Sequence, residues 1–266
     1  MRLHYETIGA GQPLIILHGL FGSLDNWRTM SKKLSDRYQV FSADLRNHGG
    51  SPHSSEFSYP LMADDLKEFM HEHFLGSAFL LGHSMGGKVA MQFALTYPEF
   101  VDKLIVVDIA PRAYPPKHKD LFKALSSLHL ERFSGRNEVR RELEKEISDR
   151  SVSEFMLKNL NVSQTGKLQW KMNLASLHEN YHEIMASPCW EGDFDKPTLF
   201  VRGGSSDYIE PADDRVIRRY FPCAELATVP GVGHWVHAEA PGVFEKMVGD
   251  FLSRSKDSYL ADNRLL

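Results

Sequence analysis

Two hydrophobic patterns of different period meet in Ala78-Phe79-Leu80-Leu81-Gly82-His83-Ser84-Met85-Gly86. This stretch is the strongest indication of the fold. Its first four residues form an apolar run of strand length, and a helical pattern starts directly after it. Between them lies Gly-x-Ser-x-Gly, which is typical of a sharp strand-to-helix turn with a serine at its apex. Larger side chains than glycine would collide with neighbouring backbone there. The pattern predicts that the Ser84 hydroxyl lies near free N–H groups of a helix start, where developing negative charge is favoured.

The same residues also fit a phosphate-binding loop, since Gly82–Lys88 matches Gly-x-x-x-x-Gly-Lys. In that interpretation the strand Leu104–Asp108 would carry the metal-binding acid. However, Val89 stands where such a loop needs Ser or Thr to hold Mg²⁺. A P-loop-like nucleotide binder is therefore only a remote alternative.

Outward from the serine turn, short apolar runs alternate with helical patterns, which is typical of strands buried on both faces of a parallel sheet. The sequence therefore predicts an α/β fold with a mostly parallel central sheet flanked by helices. The predicted strands are Leu14–Leu17, Gln39–Ser42, Ala78–Leu81, Leu104–Val107, Thr198–Val201 and Glu225–Val229, and the predicted crossover helices are Ser58–His73, Gly86–Thr96 and Asp213–Tyr220.

Between Arg112 and Trp190 the sequence becomes rich in charge and almost free of strand-like runs. Proline residues, which interrupt helices and strands, lie at both ends of this stretch. We therefore expect a core formed by residues 1–111 and 191–266, with residues 112–190 inserted as a helical cap. Its predicted helices are Lys119–Arg132, Glu138–Ile147, Val152–Leu160 and Lys167–Ala186.

The composition is that of a globular protein, with 42% hydrophobic and 25% charged residues among 266. A net charge of −4 gives no reason to expect nucleic-acid binding. Cys189 and Cys223 cannot form a disulfide framework, so a reducing compartment is favoured. The first residues resemble no signal peptide, and no apolar stretch is long enough to span a bilayer. We expect a cytoplasmic protein without stable membrane insertion, a monomer or homodimer, with a loosely held tail after Ser253.

A serine nucleophile needs a base and an acid that fixes the imidazole tautomer. The candidate base is His234 in Gly231-Val232-Gly233-His234-Trp235, with His237 as its nearest substitute. Two carboxylates are candidates for the acid that orients the histidine, because both follow strands whose carboxyl ends lie at the same sheet edge. We favour Asp207, after the strand Thr198–Val201, and keep Asp108 as the alternative acid.

The oxyanion of a tetrahedral intermediate needs two N–H donors. Met85, directly after the nucleophile, offers one. The loop His18-Gly19-Leu20-Phe21-Gly22-Ser23 offers the other, since its glycines allow amides to turn inward. We expect the Leu20 amide as the second donor, Phe21 as a wall of the substrate pocket with Trp235 nearby, and His18 as a structural residue.

Taken together, these segments resemble the α/β-hydrolase superfamily, and more narrowly the bacterial YbfF-type esterases and their eukaryotic relatives. The resemblance rests on residues 18–27, 44–51 and 82–88 and on Gly233-His234-Trp235-Val236-His237-Ala238-Glu239. It implies a hydrolase fold with the cap after the sixth strand, and a serine esterase or thioesterase acting on short to medium acyl esters or acyl-CoA. It also implies that the acid position after the later strand is not always an acid, so both carboxylates stay open.

The same three side chains also serve C–C bond hydrolases, lyases and cofactor-free haloperoxidases, which remain alternatives. No set of metal-ligand spacings is visible, and we expect neither metal nor cofactor. Arg46, Asn47 and His48 lie close to the predicted site, and we expect them to lock a loop rather than to bind substrate.

Overall fold

The computed structural model describes residues 1–163, 165–187 and 190–255. Cys189 and the tail from Lys256 onward, which is predicted to be loosely held, lie outside the described residues. The central sheet has seven strands in the order β1-β3-β2-β4-β5-β8-β9. The sheet strands are β1 (Tyr5–Ile8), β2 (Gln12–Leu17), β3 (Tyr38–Ala43), β4 (Ala78–His83), β5 (Val101–Val107), β8 (Thr198–Gly203) and β9 (Ala224–Val229).

All neighbours in this sheet pair in parallel except β1, which is antiparallel to β3. Each predicted apolar run lies within one of the parallel strands. Strand β1 was not predicted, because its sequence Tyr-Glu-Thr-Ile lies largely exposed at the sheet edge and contains no apolar run. The predicted α/β class with a mostly parallel sheet is confirmed.

Helices cover both faces of the sheet because its central strands bury side chains on both sides. In β2, Ile15 and Leu17 belong to one core cluster, whereas Leu14 and Ile16 belong to the other. The first face carries α2 (Tyr59–Glu72), α3 (Met85–Thr96) and α9 (Asp214–Tyr220), and the second carries α1 (Arg28–Leu34), α10 (Val236–Glu239) and α11 (Pro241–Ser253). Short 3-10 turns cover Leu24–Trp27, Pro98–Phe100, Leu130–Arg132 and Pro211–Asp213.

Between β5 and β8 the chain forms five helices and a two-stranded hairpin. The helices are α4 (Lys119–Ser127), α5 (Arg136–Glu146), α6 (Arg150–Leu157), α7 (Leu174–Glu179) and α8 (Tyr181–Met185), and the hairpin pairs β6 (Leu160–Val162) with β7 (Leu168–Trp170). Buried side chains of this segment, such as Phe122 and Leu125, join the core cluster that contains α2 and α3. The division of the chain at residues 112 and 190 stays a prediction.

Two details of the sequence analysis are wrong here. The predicted helix Lys167–Ala186 begins as the strand β7, and only its later part is helical. Leu168 and Trp170 face one side and Gln169 the other, a period of two that is too short to recognise in a helix-rich stretch. The insertion follows the fifth strand of the chain rather than a sixth, since a single antiparallel strand precedes the parallel ones in the described part of the chain.

Within the described ranges, no helix has the length and apolar character that crossing a bilayer requires.

Candidate active site

Ser84 lies at the turn between β4 and α3, with φ 54° and ψ −119°. A positive φ is strained for a residue with a side chain, and here it lifts the serine out of the sheet edge. The flanking glycines make the turn possible. A Cβ on Gly82 would lie 2.2 Å from the carbonyl oxygen of Gly86, and a Cβ on Gly86 would lie 2.4 Å from that of His18. Neither position has room for any other residue.

The loop after β2 passes directly over this turn. A Cβ built on Gly19 would lie 3.2 Å from the Cβ of Ser84. The Phe21 amide donates to Nε2 of His48 over 3.3 Å, so it is already engaged. Leu20, the residue between them, lines the space beside Ser84. Met85 is the first residue of α3, where backbone N–H groups have no partner within the helix. These two amides are the candidates for oxyanion donors.

His234 is held by Asp108 and not by Asp207. Nδ1 of His234 donates to Oδ2 of Asp108 over 2.8 Å. The Asp108 carboxylate is fully buried and also accepts the Gly203 amide, over 2.9 Å, and the Ser206 hydroxyl. It therefore has three donors, which suits an anion in a dry environment.

Asp207, the acid favoured from the sequence, does not contact His234 in this structure; the alternative acid Asp108 does. The side chain of Asp207 is 65% exposed and pairs with Lys117, which lowers the pKa of its carboxyl. The loop after β8 turns Ser206 inward and the next residue outward. Asp108, by contrast, has φ 51°, an uncommon conformation that bends the chain at the end of β5.

The imidazole of His234 is fixed from two further directions. The Tyr208 ring stacks on it, with centroids 3.9 Å apart. Nε2 of His83, the residue before Ser84, donates to the backbone carbonyl of His234 over 2.9 Å. This bond ties the histidine loop to the serine turn. Ser84 and His234 line the same cavity, and no hydrogen bond joins their side chains in the described residues. Contacts between nucleophile and base are often longer before substrate binds.

His18 and His48 hold the loops together. His18 bonds the Gly19 carbonyl through Nδ1 and accepts the Leu45 amide at Nε2. His48 bonds the Arg46 carbonyl and accepts the Phe21 amide. Burial lowers the pKa of His18 and brings that of His48 to about 3, so both are neutral and each ring offers one donor and one acceptor.

Arg46 forms a buried ion pair with Asp65, with Nε 2.7 Å from Oδ2. Asn47 accepts the Ser54 amide and donates to Ser176. Like His48, these side chains are committed to protein partners. They lock loops, as the sequence analysis expected.

The main cavity beside Ser84, called here the large cavity, has a volume of about 220 Å³. Its lining is mostly apolar and comes from the core and from the 112–190 segment; it includes Phe21, Trp27, His118, Phe155, His234 and Trp235. His237, the substitute base, lines it too, but its ring stacks on Trp27 at 4.0 Å. Nδ1 of His237 has no hydrogen-bond partner among the described residues, and burial lowers its pKa to about 3. Among the described residues no carboxylate bonds to this ring, so it is less suited than His234 to act as the base.

A second space that also borders Ser84, called here the small cavity, has a volume of about 20 Å³. Its lining includes Leu20, Tyr59, Ser84, Met85, Lys88, Tyr114, His118 and Met185. Lys88 donates to the carbonyl of Ala186 over 2.7 Å, and burial lowers its pKa to about 7. A phosphate-binding loop needs this lysine at its mouth. Because Lys88 is buried against carbonyl groups instead, the nucleotide-binding alternative is not supported.

Three site residues were missed by sequence reasoning. Ser206 bonds Asp108, Tyr208 stacks on His234, and His118 lines both cavities. Ser206 and Tyr208 flank Asp207 in a loop that was correctly placed at the sheet edge. The position of His118 depends on how the 112–190 segment packs, for which the sequence has no signal. Within the described ranges, no cluster of three His, Cys, Asp or Glu is arranged to hold a metal.

Comparisons with known proteins agree with this geometry. A family model described as alpha/beta hydrolase fold matches residues 12–241. The chain is 38% identical to the sn-1-specific diacylglycerol lipase ABHD11 of Danio rerio, over 93% of this chain and 80% of that protein. It is 31% identical to Esterase YbfF of Escherichia coli (strain K12), over 91% of this chain and 93% of that protein. A solved marine microorganism esterase superposes with a TM-score of 0.92 at 41% identity, over 94% and 99% of the two chains. The chain therefore belongs to the alpha/beta hydrolase fold family.

Proposed function

We propose that this protein is a serine hydrolase that cleaves carboxylic esters through an acyl-serine intermediate. The observation that carries the proposal is the bond from His234 to the buried Asp108, at a cavity that also contains Ser84. Relatives named as an esterase and as a diacylglycerol lipase support the same reaction class.

In this proposal His234 removes the proton of Ser84 as its oxygen attacks the ester carbonyl. Asp108 keeps the imidazole in the tautomer that leaves Nε2 free to accept. The Leu20 and Met85 amides stabilise the oxyanion. The protonated His234 then gives its proton to the departing alcohol. Water, activated by the same imidazole, hydrolyses the acyl-serine.

The remaining features follow from this assignment. Residues 112–190 act as a cap that covers Ser84, since His118 and Phe155 line the large cavity from that segment. The substrates are small-molecule esters, and thioesters such as acyl-CoA suit the same chemistry. We place the protein in the cytoplasm as a monomer or homodimer.

The test combines a fluorophosphonate probe with hydrolysis of p-nitrophenyl acetate and octanoate. Wild-type protein is expected to be labelled and active, whereas Ser84→Ala loses labelling and at least about 10⁴-fold in kcat. Ser205→Ala, an exposed serine of the loop after β8, is the matched control and keeps both. Labelling without turnover of any ester would favour a C–C hydrolase, a lyase or a haloperoxidase. Unlabelled wild-type protein would contradict the serine mechanism itself.

A further inference from the structure

Both cavities border Ser84, the group that would attack the ester. Both are lined by Leu20, Ser84, His118 and Tyr208, so they meet where the ester carbonyl would lie. An ester bound at Ser84 has two substituents on its carboxyl group, an acyl chain and an alcohol. One substituent therefore points into each cavity.

The positions of His234 and Met85 determine which substituent goes where. His234 lines the large cavity and does not line the small one, while Met85 lines the small cavity alone. The leaving alcohol needs a proton from His234, so its oxygen must lie on the side of the large cavity. The carbonyl oxygen is held towards the amides, one of which belongs to Met85. The acyl substituent is then directed into the small cavity.

The volumes of the two cavities are very unequal. At about 20 Å³ the small cavity has the room that one water molecule or one methyl group needs. At about 220 Å³ the large cavity has room for an extended apolar chain.

Three polar side chains in the wall of the small cavity are hydrogen-bonded to backbone carbonyl groups. The hydroxyl of Tyr59 donates to the carbonyl of Ile184 over 2.7 Å, and that of Tyr114 donates to the carbonyl of Tyr208. Lys88 donates to Ala186. The Tyr59 and Lys88 bonds tie the wall formed by residues 184–186 to the core. Because these three side chains already have partners, a polar acyl group gains little from them, whereas a methyl group fits the space.

We infer that the preferred substrates are acetyl esters of medium-length apolar alcohols. The inference rests on the proposed function and names its substrate class. Ser84 forms a bond to the acetyl carbon, and the bond from that carbon to the alkoxy oxygen breaks. The alcohol leaves with the proton that His234 took from Ser84. Water then transfers its hydroxyl to the acetyl carbon and its proton to Ser84 by way of His234, releasing acetic acid.

The decisive experiment compares two constitutional isomers, heptyl acetate and methyl octanoate, with purified wild-type protein in a pH-stat. Heptyl acetate places its methyl group in the small cavity, while methyl octanoate places seven carbons there. One methylene too many in a tight pocket costs about tenfold or more, so kcat/KM is expected to favour heptyl acetate by at least that factor. Equal rates, or a preference for methyl octanoate, would overturn the inference.

A pair of variants tests the same point on the protein side. Met185 lines the small cavity and Leu121 the large one. Met185→Ala is expected to raise the ratio of heptyl butyrate to heptyl acetate hydrolysis by about tenfold. Leu121→Ala, the matched control, leaves that ratio unchanged. An unchanged ratio in a folded Met185→Ala protein would count against the assignment.

The wild-type isomer comparison needs no variant, so it stands even if Met185→Ala does not fold. Failure of the inference is distinguishable from failure of the proposed function. If the fluorophosphonate labels the protein and methyl octanoate is the better isomer, the enzyme class stands and the substrate orientation is wrong. If neither isomer is hydrolysed and no label is incorporated, the proposed function itself is wrong.

Discussion

At the scale of single residues, two aspartates with the same chemistry have opposite environments. Asp108 is buried with three donors, and Asp207 lies 65% exposed beside Lys117. A carboxylate orients an imidazole well when its own position is fixed by other bonds, as the Gly203 amide and the Ser206 hydroxyl fix Asp108. The exposed Asp207 has no such support. Burial and bonding, rather than position in the chain, distinguish the two.

The two aspartates therefore give a paired prediction. Asp108→Asn is expected to lower kcat for p-nitrophenyl acetate by about 10⁴-fold, because an amide favours the wrong histidine tautomer. Asp207→Asn is expected to stay within about tenfold of wild type, less than 1.4 kcal/mol in activation free energy. Steady-state kinetics on both variants, with circular dichroism to check folding, measures the difference. The opposite order of effects would restore Asp207 as the acid.

At the scale of elements, the site depends on loops held by bonds from distant parts of the chain. Arg46, in the loop after β3, pairs with Asp65 of α2, and Asn159 of the 112–190 segment donates to the carbonyl of Phe21. Lys171 reaches Asp25 over 2.8 Å. The last two bonds join the loop that carries Leu20, and the turn after it, to the 112–190 segment. The positions of the two amides that would bind the oxyanion therefore depend on several elements together.

The Arg46–Asp65 pair can be tested by comparing wild-type protein with one single and one double variant. Asp65→Leu leaves a buried guanidinium without its carboxylate and is expected to lower the free energy of unfolding by about 3–5 kcal/mol. Arg46→Met combined with Asp65→Leu is expected to recover most of that loss, since an apolar pair needs no counter-charge. Urea unfolding followed by tryptophan fluorescence gives the three values. If the double variant is no more stable than Asp65→Leu alone, the destabilisation has another cause.

At the scale of the whole molecule, the site is surrounded by histidines that burial keeps neutral. The pKa values are about 3 for His48 and His237 and about 4 for His118. The ordinary value for histidine is 6.5. As pH falls below that value, the unfolded chain takes up protons that the folded protein excludes. The free energy of unfolding is therefore expected to fall from about pH 6.5 down to about pH 3.

His237→Phe tests this effect at one position. At pH 5, each such histidine lowers the free energy of unfolding by about 2 kcal/mol. The reason is that this pH lies about 1.5 units below the pKa of the histidine in the unfolded chain. The phenyl ring keeps the stack on Trp27, so the loss of stability between pH 7.5 and pH 5 is expected to shrink by about that amount. Urea unfolding at the two pH values measures it. His129→Gln, at an exposed position, serves as control and leaves the loss unchanged.

The α/β sheet, the serine turn and the segments that supply His234 and Leu20 are all predictable from the sequence. These depend on local signals: apolar runs fit only buried strands, and Gly82 and Gly86 fit only where backbone leaves no space for a Cβ. The edge strand β1 and the hairpin β6–β7 gave no such signal, because short half-exposed strands have little hydrophobic contrast.

Three features come from the packing of the chain: the contact of His234 with Asp108 rather than Asp207, the positions of Ser206, Tyr208 and His118, and the two unequal cavities at Ser84. Each of these depends on distances between residues far apart in the chain. Both aspartates end strands at the same sheet edge, so spacing along the sequence is compatible with either. The loop after β8 turns Ser206 towards Asp108 and Asp207 towards Lys117, and this direction is the physical reason that only Asp108 of the two reaches His234.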